Sequence, residues 1–269
     1  MDFDKAPEGA ARSPTNDGAE EGKQHVVHLE SMRDYYRRTA GHYNSAHCQD
    51  GESSHNYAVR QVLRTMTEKK LPTLLDVCCG TGRCISAALA AGFDARGLDA
   101  SPDLLQVGIQ QFGLPQDRLH CADATKMPFP DKSFDVACIL GALHHSALPL
   151  DVVRETIRVT RHAIIISDEA NHLHGMVRSV LKRLGIFRPV YRAIFRREPR
   201  TERRLIVTEG DGPTFDFTIE EIVPILEQHF RKLRSRSFVR IGHRQFQLAW
   251  LPRFFATQAV VIATDAMSS

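Results

Sequence analysis

The sequence predicts an α/β protein built on an open, mostly parallel sheet, and three observations lead to this fold class. Short apolar runs that suit buried strands alternate with stretches of helical periodicity. The first such run, over residues 73–77, leads into two closely spaced glycines and then an alanine-rich helical stretch. Aspartates follow the next two strand-like runs, at the strand ends where open parallel sheets bind their ligands.

Length and composition are those of an ordinary globular protein. The 269 residues are 42% hydrophobic and 25% charged, and the net charge of +3 by itself predicts no polyanionic partner. The six cysteines form no C-x-x-C pair, so we interpret them as structural thiols in a reducing, cytoplasmic setting. No apolar run approaches the roughly 20 residues of a membrane span, and we expect neither a span nor a secretory signal.

The N-terminal part divides into a tail and a helical region. Residues 1–24 have almost no large apolar side chains, which predicts a disordered tail ahead of one domain over 25–269. Residues 25–70 are expected to form helices, including an amphipathic one over 55–66.

The glycine turn is the first candidate binding feature. Leu74, Leu75 and Val77 form the strand, and Gly80 and Gly82 allow a sharp turn into the next helix. A strand, turn and helix in this order present backbone N–H groups and a positive helix end to a ligand.

The acid that closes the second strand indicates which ligand is bound. Asp99 comes seventeen residues after Gly82, where a carboxylate can accept both ribose hydroxyls of a nucleoside. This geometry serves NAD and S-adenosylmethionine alike. The missing third glycine disfavours a dinucleotide, and Asp76 inside the first strand can balance a cationic ligand, so S-adenosylmethionine is favoured over an NAD-dependent dehydrogenase.

Four blocks then carry a resemblance to a known family: L-L-D-V-C-C-G-T-G, G-L-D-A-S, C-A-D-A-T-K-M-P-F-P-D-K-S-F-D-V and I-L-G-A-L-H-H. In this order the chain resembles the class I S-adenosylmethionine-dependent methyltransferases over roughly residues 35–168. It is similar to the branch with quinone-biosynthesis and tRNA wobble-uridine methyltransferases. The resemblance implies a Rossmann-like seven-stranded sheet of order 3-2-1-4-5-7-6, its last strand antiparallel, with a helical cap insertion.

The resemblance also implies a cofactor site. Tyrosines of an N-terminal segment, Tyr35 or Tyr36 with Tyr43, would lie near the sulfonium, although they could simply pack their helix. The Asp123 carboxylate would take the adenine amino group, with capping of the next turn as the alternative. Cys78 replaces the usual glycine and suggests a tighter loop. The expected cofactor-binding residues are Tyr35, Tyr43, Asp76, Cys78, Gly80, Gly82, Asp99, Ala100, Asp123, Ala124 and Leu140.

Hydrophobic periodicity and helix-start signals predict the remaining helices and strands of the chain. They predict a helix after Ser101–Pro102, with Ser101 as its N-cap. Further strands are expected over 118–122, 134–140, 162–167, 233–241 and 257–264, with helices over 149–161 and 217–230.

Residues 171–213 are predicted to form the basic helical cap. Between Arg178 and Arg204 there are ten Lys or Arg against two Glu, a net charge of +8, with apolar residues at helical spacing. This face is either merely solvated or binds an anionic or lipid-like substrate, a membrane surface or an RNA backbone.

The expected chemistry is methyl transfer to a small molecule, at oxygen or carbon, with an amphipathic or acidic metabolite as the candidate acceptor. Only an acceptor that loses a proton needs a base, and His144 and His145 are the candidates because histidine titrates near neutrality. Asp168, Glu169 and His172 are weaker candidates, and no metal-ligand spacing occurs. Two alternatives stay open: a tRNA-modifying enzyme that uses the cap, and a catalytically silent binding protein, suggested only by Cys78.

Overall fold

The computed structural model describes residues 16–47, 54–170, 205–208, 212–215, 217–241, 244–247 and 256–267. Its α-helices are α1 (Asn16–His47), α2 (Ser54–Lys69), α3 (Arg83–Ala90), α4 (Pro102–Phe112), α5 (Pro149–Val159) and α6 (Val223–His229). Its strands are β1 (Thr73–Val77), β2 (Asp94–Asp99), β3 (Leu119–Cys121), β4 (Phe134–Leu140), β5 (Thr160–Glu169), β6 (Leu205–Thr208), β7 (Gly212–Phe215), β8 (Phe230–Ile241), β9 (Arg244–Gln247) and β10 (Gln258–Ala266).

One large sheet organises these elements, in the order β3-β2-β1-β4-β5-β10-β8-β9. Strands β1 to β5 are parallel to their neighbours, and β10 is inserted antiparallel between β5 and β8. The predicted order of seven strands with an antiparallel last strand is therefore confirmed. Strand β9 adds an eighth strand at the edge, and β6 and β7 form a separate hairpin.

The sheet is buried on both faces, as the uninterrupted apolar runs predict. Strand β4 is buried at all seven positions. On one face Leu75, Val77 and Ile139 pack in a cluster with Ile157 of α5. On the other face a second cluster joins β1 and β4 to helices α2 and α3. Burial of each such aliphatic side chain contributes about 1.5–3 kcal/mol, which fixes the strand ends that carry the site.

Some boundaries differ from the sequence-based expectations. Strand β5 begins at Thr160 and continues to Glu169, beyond the 162–167 that was predicted. The helix predicted over 217–230 is divided into a 3-10 turn at Ile219–Glu221 and helix α6. Pro224 at the start of α6 has no N–H to donate, so one continuous helix cannot run through this point. Thr218 is the N-cap of the 3-10 turn, in a reciprocal capping box with Glu221.

The N-terminal segment also differs from expectation. Helix α1 begins at Asn16, so residues 16–24 of the predicted tail are helical, and residues 1–15 lie outside the described residues. Most of the predicted cap, residues 171–204, also lies outside the described part, and so does His172.

Among the helices that the structure describes, none combines the length and apolar character needed to cross a bilayer.

Candidate functional site

A large cleft lies beyond the carboxyl ends of β1, β2 and β4, beneath helix α1. It encloses about 960 Å³, a value that includes its mouth open to solvent. Its lining includes the turn after β1, the acids that follow β2 and β3, and the segment after β4.

The turn after β1 is held in left-handed backbone conformations. Cys78, Gly80 and Gly82 have φ angles of 54°, 56° and 76°. Cys78 therefore adopts the conformation that its family fills with glycine, at a cost of about 1–2 kcal/mol. A Cβ on Gly82 would lie 2.4 Å from the Leu114 side chain, so Gly82 faces inward. A Cβ on Gly80 would meet only Tyr43, at 3.8 Å, so the open face of Gly80 belongs to the cleft.

Asp99 forms the floor of the cleft at the end of β2. Its Oδ2 accepts a hydrogen bond from the Gly80 N–H and its Oδ1 from the Ser101 N–H, both at 2.8 Å. Burial raises the pKa of Asp99, and these backbone donors oppose that rise. Each carboxylate oxygen can accept a further hydrogen bond, so Asp99 can hold two hydroxyl groups of a ligand.

Asp123 lies on the cleft wall and is ionised. Burial alone would raise its pKa, but hydrogen bonds from His25 Nε2 and the Thr125 N–H lower the pKa to about 2. The bond from Thr125 is the turn-capping contact considered from the sequence. The bond from His25, at 2.8 Å, fastens helix α1 to the wall.

Helix α1 covers the cleft through polar contacts along its length. His28 Nε2 donates to the His145 carbonyl at 2.7 Å, and Arg33 Nε donates to the Ala100 carbonyl at 2.8 Å. Near its C-terminus, Asn44 Oδ1 accepts from the Thr81 hydroxyl at 2.7 Å. An apolar stripe of α1 packs on α4: Met32, Tyr36 and Ala40 against Leu104 and Val107.

The two predicted histidines have different surroundings. His144 is buried, and its Nδ1 lies 2.7 Å from Oδ1 of Asp168, whose Oδ2 accepts from the Leu143 N–H. His145 lines the cleft, and its Nδ1 donates to the Pro213 carbonyl at 2.9 Å. In neutral His145 the proton is therefore on Nδ1, and Nε2 carries the lone pair.

The structure brings most of the predicted residues together. Nine of them line the cleft: Tyr43, Cys78, Gly80, Asp99, Ala100, Asp123, Ala124, Leu140 and His145. Four do not: Tyr35, Asp76, Gly82 and His144. Tyr35 lies against Gly212 of β7, and its neighbour Tyr36 faces the cleft instead.

Asp76 faces away from the cleft because side chains alternate along a strand. It is buried on the side of α2 and α3, where its Oδ1 accepts from the Cys138 thiol at 3.2 Å. Burial raises the pKa of Asp76 to about 7. The Cys84 and Cys138 sulfurs are 3.8 Å apart beside it, and burial raises the pKa of the Cys138 thiol well above its usual value.

Several cleft residues escaped the sequence analysis, namely His25, His28, Arg33, His55 and Arg83. A helical spacing of His25, His28, Met32 and Tyr36 was available as a signal. It was obscured because the acidic segment before it predicts disorder.

Comparison with known proteins shows what this architecture is similar to. Residues 75–165 match the methyltransferase domain family. A demethylmenaquinone methyltransferase of Geobacillus kaustophilus is 33% identical over 143 residues, covering 51% of this chain and 61% of the relative. That of Geobacillus stearothermophilus is 38% identical over 108 residues, covering 38% of this chain and 46% of the relative. The chain thus spans about half the length of these relatives.

Solved structures show the same fold at low sequence identity. The magnesium protoporphyrin IX methyltransferase from Synechocystis PCC 6803, solved with bound S-adenosylhomocysteine, has a TM-score of 0.54 at 17% identity, covering 88% of this chain and 99% of that chain. The Burkholderia thailandensis 1,6-didemethyltoxoflavin-N1-methyltransferase has a TM-score of 0.51 at 16% identity, covering 96% and 93%. Together with the sequence matches, they confirm the predicted resemblance to class I S-adenosylmethionine-dependent methyltransferases.

Proposed function

We propose that the protein transfers the methyl group of S-adenosylmethionine to a small-molecule acceptor, a proposal supported by the match of residues 75–165 to the methyltransferase domain family. The observation that carries this proposal is the placement of Asp99. Its buried carboxylate forms the floor of a cleft, fixed by two backbone N–H groups and able to accept two more hydrogen bonds. That is the arrangement that holds a ribose at the end of a second parallel strand.

The cleft residues fit the sugar, the adenine and the sulfonium of an adenosyl ligand. The open face of Gly80 lets a sugar lie against the backbone, and Asp99 would accept its hydroxyls. The ionised Asp123 and the Ala124 N–H would meet the adenine. When bound, S-adenosylmethionine supplies an electrophilic methyl group on a sulfonium. Tyr36 and Tyr43 place aromatic rings along the same cleft, where they can face a cation.

Helix α1 would keep water from the reacting groups and hold the acceptor in line. Methyl transfer depends mainly on such positioning, since the leaving group needs no stabilising charge. Leu29 and Met32 of α1 face Leu140 and Val152 in the cleft lining and offer an apolar surface to an acceptor. The relatives named demethylmenaquinone methyltransferase are consistent with an apolar acceptor, methylated at carbon or oxygen.

His145 and His28 are the residues that we expect to accept a proton from the acceptor. The Nδ1–H of His145 donates to the Pro213 carbonyl, so in the neutral ring the lone pair is on Nε2. His28 donates through Nε2, so the lone pair of neutral His28 is on Nδ1, which is buried without a hydrogen-bond partner. Burial lowers the pKa of His28 and keeps it neutral. His144, which is held by Asp168, would position the segment that follows β4.

Calorimetric titration with S-adenosylhomocysteine tests the cofactor site. In Asp99→Asn an amide N–H faces one of the two backbone N–H donors, so the affinity should fall about tenfold or more. Asp103→Asn, on α4 and outside the cleft lining, is the matched control and should bind within about twofold of wild type. Asp123→Asn provides a second cleft variant at a partly exposed carboxylate. Wild-type affinity in both cleft variants would rule out this site.

A radiolabelled-methyl transfer assay would identify the acceptor class. Extract is divided into small molecules, lipid, protein and RNA, and we expect label in the small-molecule fraction. Label in RNA alone would favour the tRNA alternative, and no label in any fraction would favour a silent binding protein.

Localisation is proposed from the thiols. Cys78, Cys79, Cys84, Cys121 and Cys138 are free, which is typical of a reducing compartment and supports a cytoplasmic protein.

A further inference from the structure

Three potential metal ligands meet inside the protein, on the side of the sheet that faces helices α2 and α3. Asp76 of β1 and Cys138 of β4 are partners in the parallel register, so their side chains project from the same face of the sheet. Cys84 of α3 packs against Cys138 from the helix layer. All three residues are buried, and none of them lines the cleft. The cluster is therefore separate from the site described above.

The distances within this cluster suit a bound cation. The Cys84 and Cys138 sulfurs are 3.8 Å apart, and the Cys138 sulfur is 3.2 Å from Oδ1 of Asp76. One ligand atom from each residue lies within 4.8 Å of the other two. Two thiolates bound at ~2.3 Å to a tetrahedral zinc ion are ~3.8 Å apart, so the two sulfurs have the spacing of metal ligands. The carboxylate can supply one oxygen or both.

The charges around the cluster also fit a divalent cation. Two thiolates and one carboxylate around such an ion leave one negative charge in excess, and a buried charge is costly unless it is paired. Arg83 stands directly before Cys84 in α3 and is close enough to interact electrostatically with Asp76 and Cys84. Its guanidinium would balance the excess charge.

Protons neutralise the same groups when no metal is bound. Burial raises the pKa of Asp76 to about 7 and the pKa of the Cys138 thiol well above its usual value. A cation would have to displace these protons, because only the thiolate is a metal ligand. Metal affinity should therefore rise with pH.

We propose that Asp76, Cys84 and Cys138 form a binding site for a thiophilic divalent cation of the zinc type. Thiolate ligands select soft or borderline ions over Mg²⁺ and Ca²⁺, which prefer oxygen ligands. The bound ion would tie β1 and β4 to α3. Since β1 and α3 flank the glycine turn, the ion would stabilise the cleft from behind and take no part in methyl transfer.

Cobalt and zinc titrations of the full chain test this site. The protein is reduced and treated with a chelator, and Co²⁺ is then added as the spectroscopic probe, because thiolate ligation gives Co²⁺ a charge-transfer absorption band. Zn²⁺ is added last to displace it. The variants are Cys84→Ala, Cys138→Ala and Asp76→Asn. The control is Cys121→Ala, which removes an exposed thiol on β3. Circular dichroism verifies that each variant is folded.

We expect wild type to bind about one equivalent of Co²⁺ with a thiolate band that Zn²⁺ abolishes. Cys84→Ala and Cys138→Ala should lose this band, and Asp76→Asn should weaken Co²⁺ binding by at least about tenfold. Cys121→Ala should bind within about twofold of wild type. The apparent affinity of wild type should be higher at pH 8 than at pH 6, since binding releases protons.

Two results would overturn the site. A wild type without a thiolate band would show that the cluster consists only of hydrogen-bonded thiols, and a band that persists in both cysteine variants would place the ion elsewhere. If both cysteine variants fail to fold, urea unfolding of wild type decides. Zn²⁺ should then raise the urea midpoint of wild type more than that of Asp76→Asn, and equal midpoint shifts would exclude the site.

Discussion

Asp99 and Asp76 are buried aspartates on neighbouring strands, but their surroundings and roles differ. Asp99 has two backbone N–H donors and faces the cleft, whereas Asp76 has a thiol as its hydrogen-bond donor and faces the helices α2 and α3. The pKa of Asp76 is about 7 because burial penalises the charged form. Asp76 is thus a residue whose protonation is linked to the stability of the whole fold.

Asp76→Asn should therefore change the pH dependence of unfolding. The pKa of Asp76 is about 7 in the folded state, against an ordinary value of 3.8. Between these two pH values the folded state therefore binds a proton that the unfolded state has lost. The stability from this group is complete below about pH 4 and is lost as the pH rises through about 7. The loss has an upper bound of about 4 kcal/mol.

Urea unfolding of the wild type and Asp76→Asn at pH 5 and pH 8 measures this effect. Wild type should lose more unfolding free energy than the variant over this interval. Asp117→Asn, at an 80% exposed side chain, is the control and should follow the wild type. A wild-type-minus-variant difference that is the same at both pH values would contradict a raised pKa for Asp76.

Helix α1 is the element on which closure of the cleft depends. Its apolar contact with α4 is small, so its polar contacts with Asp123, His145 and Ala100 matter for how often it opens. His25 makes the contact nearest its N-terminus, to a carboxylate that is ionised at neutral pH.

His25→Ala should increase amide hydrogen exchange in the N-terminal half of α1 roughly tenfold, because a hydrogen bond to a charged group is lost. Mass spectrometry of peptides over residues 22–40 measures the rate. Arg37→Gln removes an exposed ion pair with Asp34 on the same helix and should leave exchange unchanged. Equal rates in wild type and His25→Ala would show that this contact does not hold the helix.

Helix α4 supports the glycine turn from behind. A Cβ on Gly108 would lie 2.5 Å from the Thr81 carbonyl oxygen, so this glycine allows the helix to approach the turn. Glycine in a helix costs up to about 1 kcal/mol relative to alanine, a cost that close packing here offsets.

Gly108→Ala and Gly41→Ala should therefore have opposite effects on stability. Gly108→Ala displaces the turn and should lower the free energy of unfolding by about 1–3 kcal/mol. Gly41 in α1 has nothing within 4 Å of its would-be Cβ, so Gly41→Ala should be neutral or raise it by up to about 1 kcal/mol. Urea denaturation measures both, and a stabilising Gly108→Ala would contradict the close approach.

At the scale of the whole molecule, the parallel sheet brings distant residues to one edge. Asp99, Asp123 and His145 lie at or after the carboxyl ends of three different strands, and all line one cleft. The insertion of β10 between β5 and β8 extends the buried sheet on the side away from β3. The site is thus a consequence of strand order, which the resemblance to the methyltransferases implies and the sheet confirms.

The sequence by itself determined the buried strands, the glycine turn and the acid that closes β2, and the resemblance to a known family supplied the strand order. These features are local, because apolar runs form buried strands and glycines permit left-handed turns wherever they occur. Only the tertiary structure decided which side chains reach the cleft: Tyr36 rather than Tyr35, His145 rather than His144, and Asp99 without Asp76. Helix α1 shows why, since His25 and His28 find their partners 98 and 117 residues away, at contacts that no local pattern encodes.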